Sequence, residues 1–483
     1  MKARHVRLLS MSDIVHVDRD RLVAAGSRAV TATPSGQRGA LALAAADVTI
    51  DKPDELTWWD WTVFLLHTAA EIEHALMAQY LYAAYSLADD DFLGPAVPPD
   101  ASVLARRWQQ TIVEIAKEEM AHLLTIQNLL RLIGGPLNLD REDFPFRAFL
   151  YPFPLALEPL TKTSLAKYVA TEMPAEPPQP PGLIQEIVDR ATNATGGLPI
   201  NRVGVLYDTL VKIFEDETKL ADADLRPETA DTFQAGPEDW FAFFGRLIIR
   251  VVRSRADAVD ALRAIGEQGE GSASPPPEDP SHFDLFLEIY QTFPETDAAL
   301  GPLTWTPARS IPSNPSTLRH PSADAAVERS RITHPTARLW AHLFNVRYRM
   351  LLVDLAHALH VPGPLEESGG LTVRGHLRDW TFAEMRGEGS GAAGLRGIAK
   401  TLMALPLKQT PGPTDPAHAG PPFELPYTLA LPDNERDRWR LHLALLDVSR
   451  GLISQIEAAS GTTSDVLQEL TAIDLAARAV VDA

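Results

Sequence analysis

Glu119 and His122 stand three residues apart within EIAKEEMAHLLTIQNLLRLIGG, the stretch from Glu114 to Gly135. Nothing in it breaks a helix before the Gly134–Gly135 pair, which is a stop signal. Ile112, Ile115, Glu119, His122 and Ile126 follow steps of three and four, so they share one face of that helix. The face is otherwise apolar. A carboxylate and an imidazole turned into a core are costly unless a charge meets them there. A Glu-x-x-His pair on a core-facing helix is how helical bundles present ligands to carboxylate-bridged iron or manganese.

Other groups of the same kind sit on apolar faces. Glu73 is the one charge among Leu66, Ala69, Leu76 and Tyr80, and His282 shares a face with Phe286 and Ile289 in the first turn of a helix. Glu270 lies in Ile265-Gly-Glu-Gln-Gly-Glu-Gly271, where the glycines predict a tight backbone bend rather than a regular helix. A lone core Glu is ordinarily paired with Arg or Lys, and a lone core His is ordinarily a hydrogen-bonded packing residue. Together, Glu73, Glu119, His122, Glu270 and His282 form a ligand set for a divalent cation, which would neutralise carboxylates in a dry core. Glu119 and His122 are its catalytic candidates.

Nuclearity stays open. A symmetric dinuclear bundle uses two Glu-x-x-His pairs, and only one is clean here. Asp279/His282 has the spacing, but Pro280 interrupts it. A second stripe, His67, Glu71 and His74, reads first as a solvated face, with ligation by Glu71 or His74 a further option. Glu114 and Glu118 form an outward or ligand-orienting row, and Tyr80 and Tyr207 read as packing residues near the site. Asp354 and His357 make another carboxylate–imidazole pair at i, i+3.

The elements that must position these groups are helical. Spacing predicts helices from the Trp58–Trp59–Trp61 cluster to about Ala88, and over about Val103–Ile133, Leu160–Val169, Arg202–Leu220, Ser281–Tyr290, Thr336–His360, Leu395–Leu405 and Glu435–Ala458. A further helical region is expected from Glu238–Trp240 to Gly269–Gly271, with a break near Ser254. Met173–Pro181 is too proline-rich for helix or central strand and reads as a surface loop. Strand signals are confined to Ile14–Val17 and Val48–Ile50. The expected organisation is an N-terminal extension (1–55), a metal-binding bundle (56–295), a proline-rich connection (296–332) and a C-terminal helical region packed on the bundle (333–483).

Composition narrows the chemistry. The 483-residue chain is 45% apolar, so it should fold around large cores, and its net charge of −20 argues against nucleic acid or an anionic membrane as partner. With no cysteine, a metal must be held by Asp, Glu and His, the donors suited to non-haem iron, manganese or zinc. No apolar run approaches a membrane span and no leader peptide is legible, so the expectation is a cytoplasmic protein, with a homo-oligomer left open.

HTAAEIEHALMAQYLYAAYSL (67–87), EEMAHLLTIQNLLRLIGG (118–135), EQGEG (267–271) and SHFDLF (281–286) resemble the ferritin-like domain of bacterial imine-dimer synthases of the violacein and indolocarbazole pathways. Related standalone ferritin-like proteins share it, and AGPPFELPYTLALPDNERDRWRLH (419–442) is similar to their C-terminal part. The resemblance implies an all-α, ferritin-like bundle with ligands at Glu73, Glu119, His122, Glu270 and His282. It implies iron, mono- or dinuclear, with manganese as the other option, and oxidative coupling of amino-acid-derived imines with dioxygen or peroxide. The function expected is a non-haem iron oxidase or oxygenase of a small metabolite. The alternative is non-catalytic metal binding, or iron storage with ferroxidase activity, against which the bulk beyond one bundle counts.

Overall fold

The computed structural model describes residues 50–88, 101–146, 150–198, 200–239, 246–271, 279–294, 307–318, 325–387, 393–425, 430–461 and 463–482. The strand expected at Ile14–Val17, most of that at Val48–Ile50, the proline run at 95–99 and most of the loop at 272–280 lie outside these residues.

Helix α1 (Trp58–Ser86) starts at Thr57, whose hydroxyl accepts from the Asp60 amide while the Asp60 carboxylate accepts from the Thr57 amide. This reciprocal cap satisfies two donors a helix start otherwise leaves bare. It runs along α2 (Ala101–Leu132), the most extensive helix pairing in the molecule. Glycine at 134, with φ at +68°, ends that second helix in a conformation side chains resist. The short α3 (Lys162–Thr171), α4 (Pro181–Ala194), α5 (Gly204–Phe214), α6 (Arg255–Glu270) and α7 (His282–Thr292) complete the first core. Ser254 caps α6 and Ser281 caps α7, so His282 is the first residue of its helix.

Several sequence expectations change here. The helix expected over 202–220 is only Gly204–Phe214, and residues 246–253 are not helical, so α6 begins at the anticipated break. Pro181, read as the end of a loop, opens α4 instead, as its fixed φ and missing N–H suit a first helical position. The glycine-rich segment does not bend. Helix α6 continues through Glu270 and turns only at Gly271, where φ is +88°.

The C-terminal layer comprises α8 (Ala325–Ser330), α9 (Pro335–Ala358), α10 (Val373–Arg386), α11 (Gly394–Leu402), α12 (Glu435–Ser460) and α13 (Asp465–Val481). Its hairpin, β1 (Glu366–Glu367) with β2 (Gly370–Leu371), is antiparallel and holds the only named strands among the described residues. The fold is all-α. A second apolar cluster fills this layer and takes in Ala78 and Tyr82 of α1, while the other side of α1 belongs to the first cluster. Helix α1 is therefore apolar on nearly every side, as a helix buried between two layers must be. Among the described residues, no helix is long and apolar enough to cross a membrane.

Candidate metal centre

Five side chains meet in the core of the bundle. Glu73 comes from α1, Glu119 and His122 from α2, Glu172 from the residue that caps α3, and His282 from the start of α7. None is more than 3% exposed. They form two groups of three, Glu73–Glu119–His122 and Glu119–Glu172–His282, and within each group the donor atoms lie within 4.8 Å of one another. Glu119 belongs to both. His122 Nδ1 is 3.0 Å from Glu119 Oε2 and 3.3 Å from Glu73 Oε2. His282 Nδ1 is 3.1 Å from Glu119 Oε1 and 4.0 Å from Glu172 Oε2.

The outer nitrogens are held from behind. His122 Nε2 is 2.8 Å from the Gln268 side-chain oxygen, and His282 Nε2 is 2.8 Å from Glu118 Oε2. An acceptor on each Nε2 keeps a proton there and leaves each Nδ1 lone pair for the centre, the arrangement that tunes metal-bound imidazoles. Two phenols serve the carboxylates: Tyr80 donates to Glu172 Oε1 at 2.6 Å, and Tyr207 donates to Glu73 Oε1. Glu119 Oε1 and His282 Nδ1 are buried 3.1 Å apart, an ion-pair contact without hydrogen-bond geometry. Polar atoms so placed are costly.

With only protein groups to meet, the site redistributes protons. Burial and the Glu119 charge push the Glu73 carboxyl up to about 8 and the Glu172 carboxyl up to about 7. Burial would raise Glu119 too, but the imidazoles of His282 and His122 hold it below the usual carboxylate range. Against burial, Glu119 and Glu73 push His122 up to about 10, and Glu119 and Glu118 push His282 well up. Imidazolium thus takes the place of a missing positive charge. No Lys or Arg among the described residues pairs with Glu73, Glu119 or Glu172.

A second buried acidic cluster makes the contrast. In the C-terminal layer Glu384 and Asp474 also lie in the core, but Arg347 of α9 pairs with both, at 2.6 Å from Glu384 Oε2. There the sequence supplies its own cation. In the bundle it does not, and the carboxylate and imidazole donors suit iron, manganese or zinc.

Of the five residues read from sequence, the two groups bring together Glu73, Glu119, His122 and His282. Glu270 stands apart: its carboxylate is 3.1 Å from Arg202 Nη1 and accepts from the Gly204 amide at 3.1 Å. It lines the same pocket but joins neither group. The group that sequence reasoning missed is Glu172, which follows a short helix, outside any run whose periodicity could reveal its direction. The glycines of α6 explain how it fits. A Cβ at 269 would lie 3.0 Å from Glu172 Oε2, so the bare helix face admits that carboxylate.

The solvated-face reading of His67, Glu71 and His74 is corrected. His74 is fully buried and hydrogen-bonds Tyr348 of α9, while Glu71 accepts from Tyr151 at 2.7 Å. The stripe faces neighbouring segments because α1 has protein on both sides. Glu114 stays outward, paired with Lys117, whereas Glu118 is buried and orients His282. Tyr80 and Tyr207 are hydrogen-bonded to the site rather than merely packed near it.

Residues 66–291 match the ferritin-like family model, and both groups of three lie within that span. The chain carries a ferritin-like domain. The chain is 25% identical over 399 residues to a dichlorochromopyrrolate synthase of Lentzea aerocolonigenes, a match covering 74% of this chain and 35% of that protein. It is 26% identical over 374 residues to a 2-imino-3-(indol-3-yl)propanoate dimerase of Chromobacterium violaceum, covering 73% and 33% respectively. The chain thus spans about a third of the length of these curated relatives. A crystallised ferritin-like protein from Caulobacter vibrioides is 16% identical with a TM-score of 0.37, covering 70% of this chain and 93% of that one.

Proposed function

We propose that the ferritin-like domain is a dinuclear iron oxidase or oxygenase acting on a small, amino-acid-derived metabolite, with dioxygen or peroxide as co-substrate. The observation that carries this is the shared position of Glu119 between two buried groups of donors that no Lys or Arg among the described residues pairs with. Glu119 Oε1 and His282 Nδ1 fit a metal, because both are buried at the centre and meet each other at 3.1 Å without hydrogen-bond geometry. Glu73 and His122 would hold one ion, Glu172 and His282 the other, and Glu119 both. Iron suits this donor set, as does manganese. Bound there, iron would supply redox chemistry and a site for dioxygen or peroxide.

The residues themselves do the rest. Gln268 and Glu118 orient the two imidazoles, and Tyr207 and Tyr80 fix the outer oxygens of Glu73 and Glu172. Leu76, Val203 and Ile265 line the pocket and keep its wall dry around the carboxylates. The substrate class rests on the relatives, whose names describe synthesis or dimerisation of amino-acid-derived acids.

Metal analysis of the purified protein tests the reading. Two iron or manganese ions per chain are expected, with both lost in Glu119→Ala and one in His122→Ala. Full occupancy in both variants overturns the assignment. Metal-dependent dioxygen uptake with an imine of an aromatic amino acid would support the substrate class, and equal uptake by metal-stripped protein would contradict it.

A further inference from the structure

The Asp354/His357 pair of α9 takes no part in the bundle site. Asp354 Oδ1 is 3.0 Å from His442 Nδ1, His442 Nε2 is 2.9 Å from His357 Nδ1, and His357 Nε2 is 3.0 Å from Glu435 Oε1. The four groups alternate between α9 and α12. Asp354, His442 and His357 are buried, while the Glu435 side chain is 51% exposed. At the inner end Asp354 and His442 line a cavity together with Trp380 and Glu384 of α10 and Asp474 of α13. A single unbroken line of hydrogen bonds therefore joins solvent to an acid-lined cavity.

Counting donors fixes the protons on this line. While both end carboxylates are ionised they only accept, and each outer ring nitrogen then donates. One of the two central nitrogens must donate and the other accept. The two rings together then carry three N–H groups, one more than two neutral imidazoles have. That extra proton can sit on either ring, and a hop along the 2.9 Å bond exchanges the two arrangements.

From these contacts we infer that Asp354, His442, His357 and Glu435 form a proton relay that holds one shared proton and connects solvent with the cavity. When a protonated Glu435 gives its proton to His357 Nε2, His357 passes its Nδ1 proton to His442 Nε2 and His442 passes its Nδ1 proton to Asp354. Charge crosses both rings, no bond other than N–H and O–H changes, and the reverse transfer resets the line. The surroundings favour one extra proton and oppose a second. Glu435 and Asp354 face the rings, burial raising the Asp354 carboxyl, with Glu384 and Asp474 beyond them across the cavity. Arg438 of α12 lies 3.4 Å from Glu435 Oε2, and Arg347 is the cation at the cavity's far side. Burial pushes His357 down to about 4, with Glu435 opposing and His442 reinforcing. Burial also pushes Glu384 up to about 8, with Arg347 opposing.

Ring-nitrogen NMR of the full-length, 15N-histidine-labelled protein tests this, with His357→Phe and His442→Phe used to assign the signals. At about pH 5 the line should hold one proton more than two neutral imidazoles do, seen as three protonated ring nitrogens or as two beside a protonated Asp354 carboxyl. Glu435→Gln, a half-exposed change that the fold can carry, should lower the pH at which the extra proton leaves by about one unit. Two neutral rings beside an ionised Asp354 at that pH, or a midpoint unmoved by Glu435→Gln, overturns the relay. Infrared exchange in D2O gives a second reading. The cavity carboxyls should deuterate more slowly in His357→Phe than in wild type, and equal rates would exclude this route.

Discussion

Replacing Glu172 by Gln should change the sign of its effect on stability according to whether metal is present. The amide keeps an oxygen for the Tyr80 hydroxyl, 2.6 Å away, and removes only the charge. In metal-stripped protein that carboxyl stands at about 7 instead of its ordinary 4.5, because of burial and the Glu119 charge. At low pH both folded and unfolded chains hold the proton, and the group has no effect. As the pH rises toward 7 the unfolded chain releases its proton while the folded chain retains it, so stability falls and then levels off. The penalty at about pH 8 is up to about 3 kcal/mol. Stripped Glu172→Gln should therefore melt higher than stripped wild type by up to about 6 °C, given about 2 °C per kcal/mol for a unit of this size. With metal at about a thousand times its dissociation constant the order should reverse, since binding then adds roughly 4.1 kcal/mol to wild type. Calorimetric melts of both proteins, stripped and reloaded, read both signs. A variant less stable in both states would make Glu172 a structural acid. Equal stabilisation of both proteins by metal would exclude it as a ligand.

Other perturbations follow from the same contacts. Gln268→Leu removes the acceptor behind His122 and should weaken metal binding about 10- to 100-fold, measured by competition with a chelator. Gly269→Ala places a Cβ 3.0 Å from Glu172 Oε2 and should lower occupancy at that ion; Gly266→Ala, whose Cβ meets nothing closer than 4.0 Å, should bind normally and gain about 0.5–1 kcal/mol in the same titration and in urea unfolding. Arg347→Met leaves Glu384 and Asp474 buried without their cation and should cost about 3–5 kcal/mol in urea unfolding. Metal content should not change, because that cluster belongs to the other layer.

Helix existence was legible wherever one apolar face recurred at helical spacing, and so were the polar residues on such faces. Glu73, Glu119, His122 and His282 each interrupt a periodic apolar row, which is why spacing alone found them. Glu172 interrupts nothing. Its direction is set by the end of α3 and by the missing side chain at Gly269, a tertiary fit between segments almost a hundred residues apart. Glu270 joins neither group for a related reason: its charge is met by Arg202, a partner that periodicity does not pair with it. The glycine-rich segment misled because glycine serves both sharp turns and close approach, and here the second use prevails. The stripe on α1 misled because a polar row usually faces water, whereas this helix is covered on both sides. Asp354 and His357 were visible as a pair, but their chain of partners depends on α12 lying alongside.

Anomalous scattering at the iron edge, from crystals of the protein as isolated, tests the central claim most directly. If Glu119 serves two ions, two iron peaks should lie on either side of its carboxylate, one beside Glu73 and His122 and the other beside Glu172 and His282. Two peaks at the manganese edge instead would change the element and keep the ligands. A single peak, a peak beside Glu270, or no peak at either edge would contradict a dinuclear centre built on Glu119.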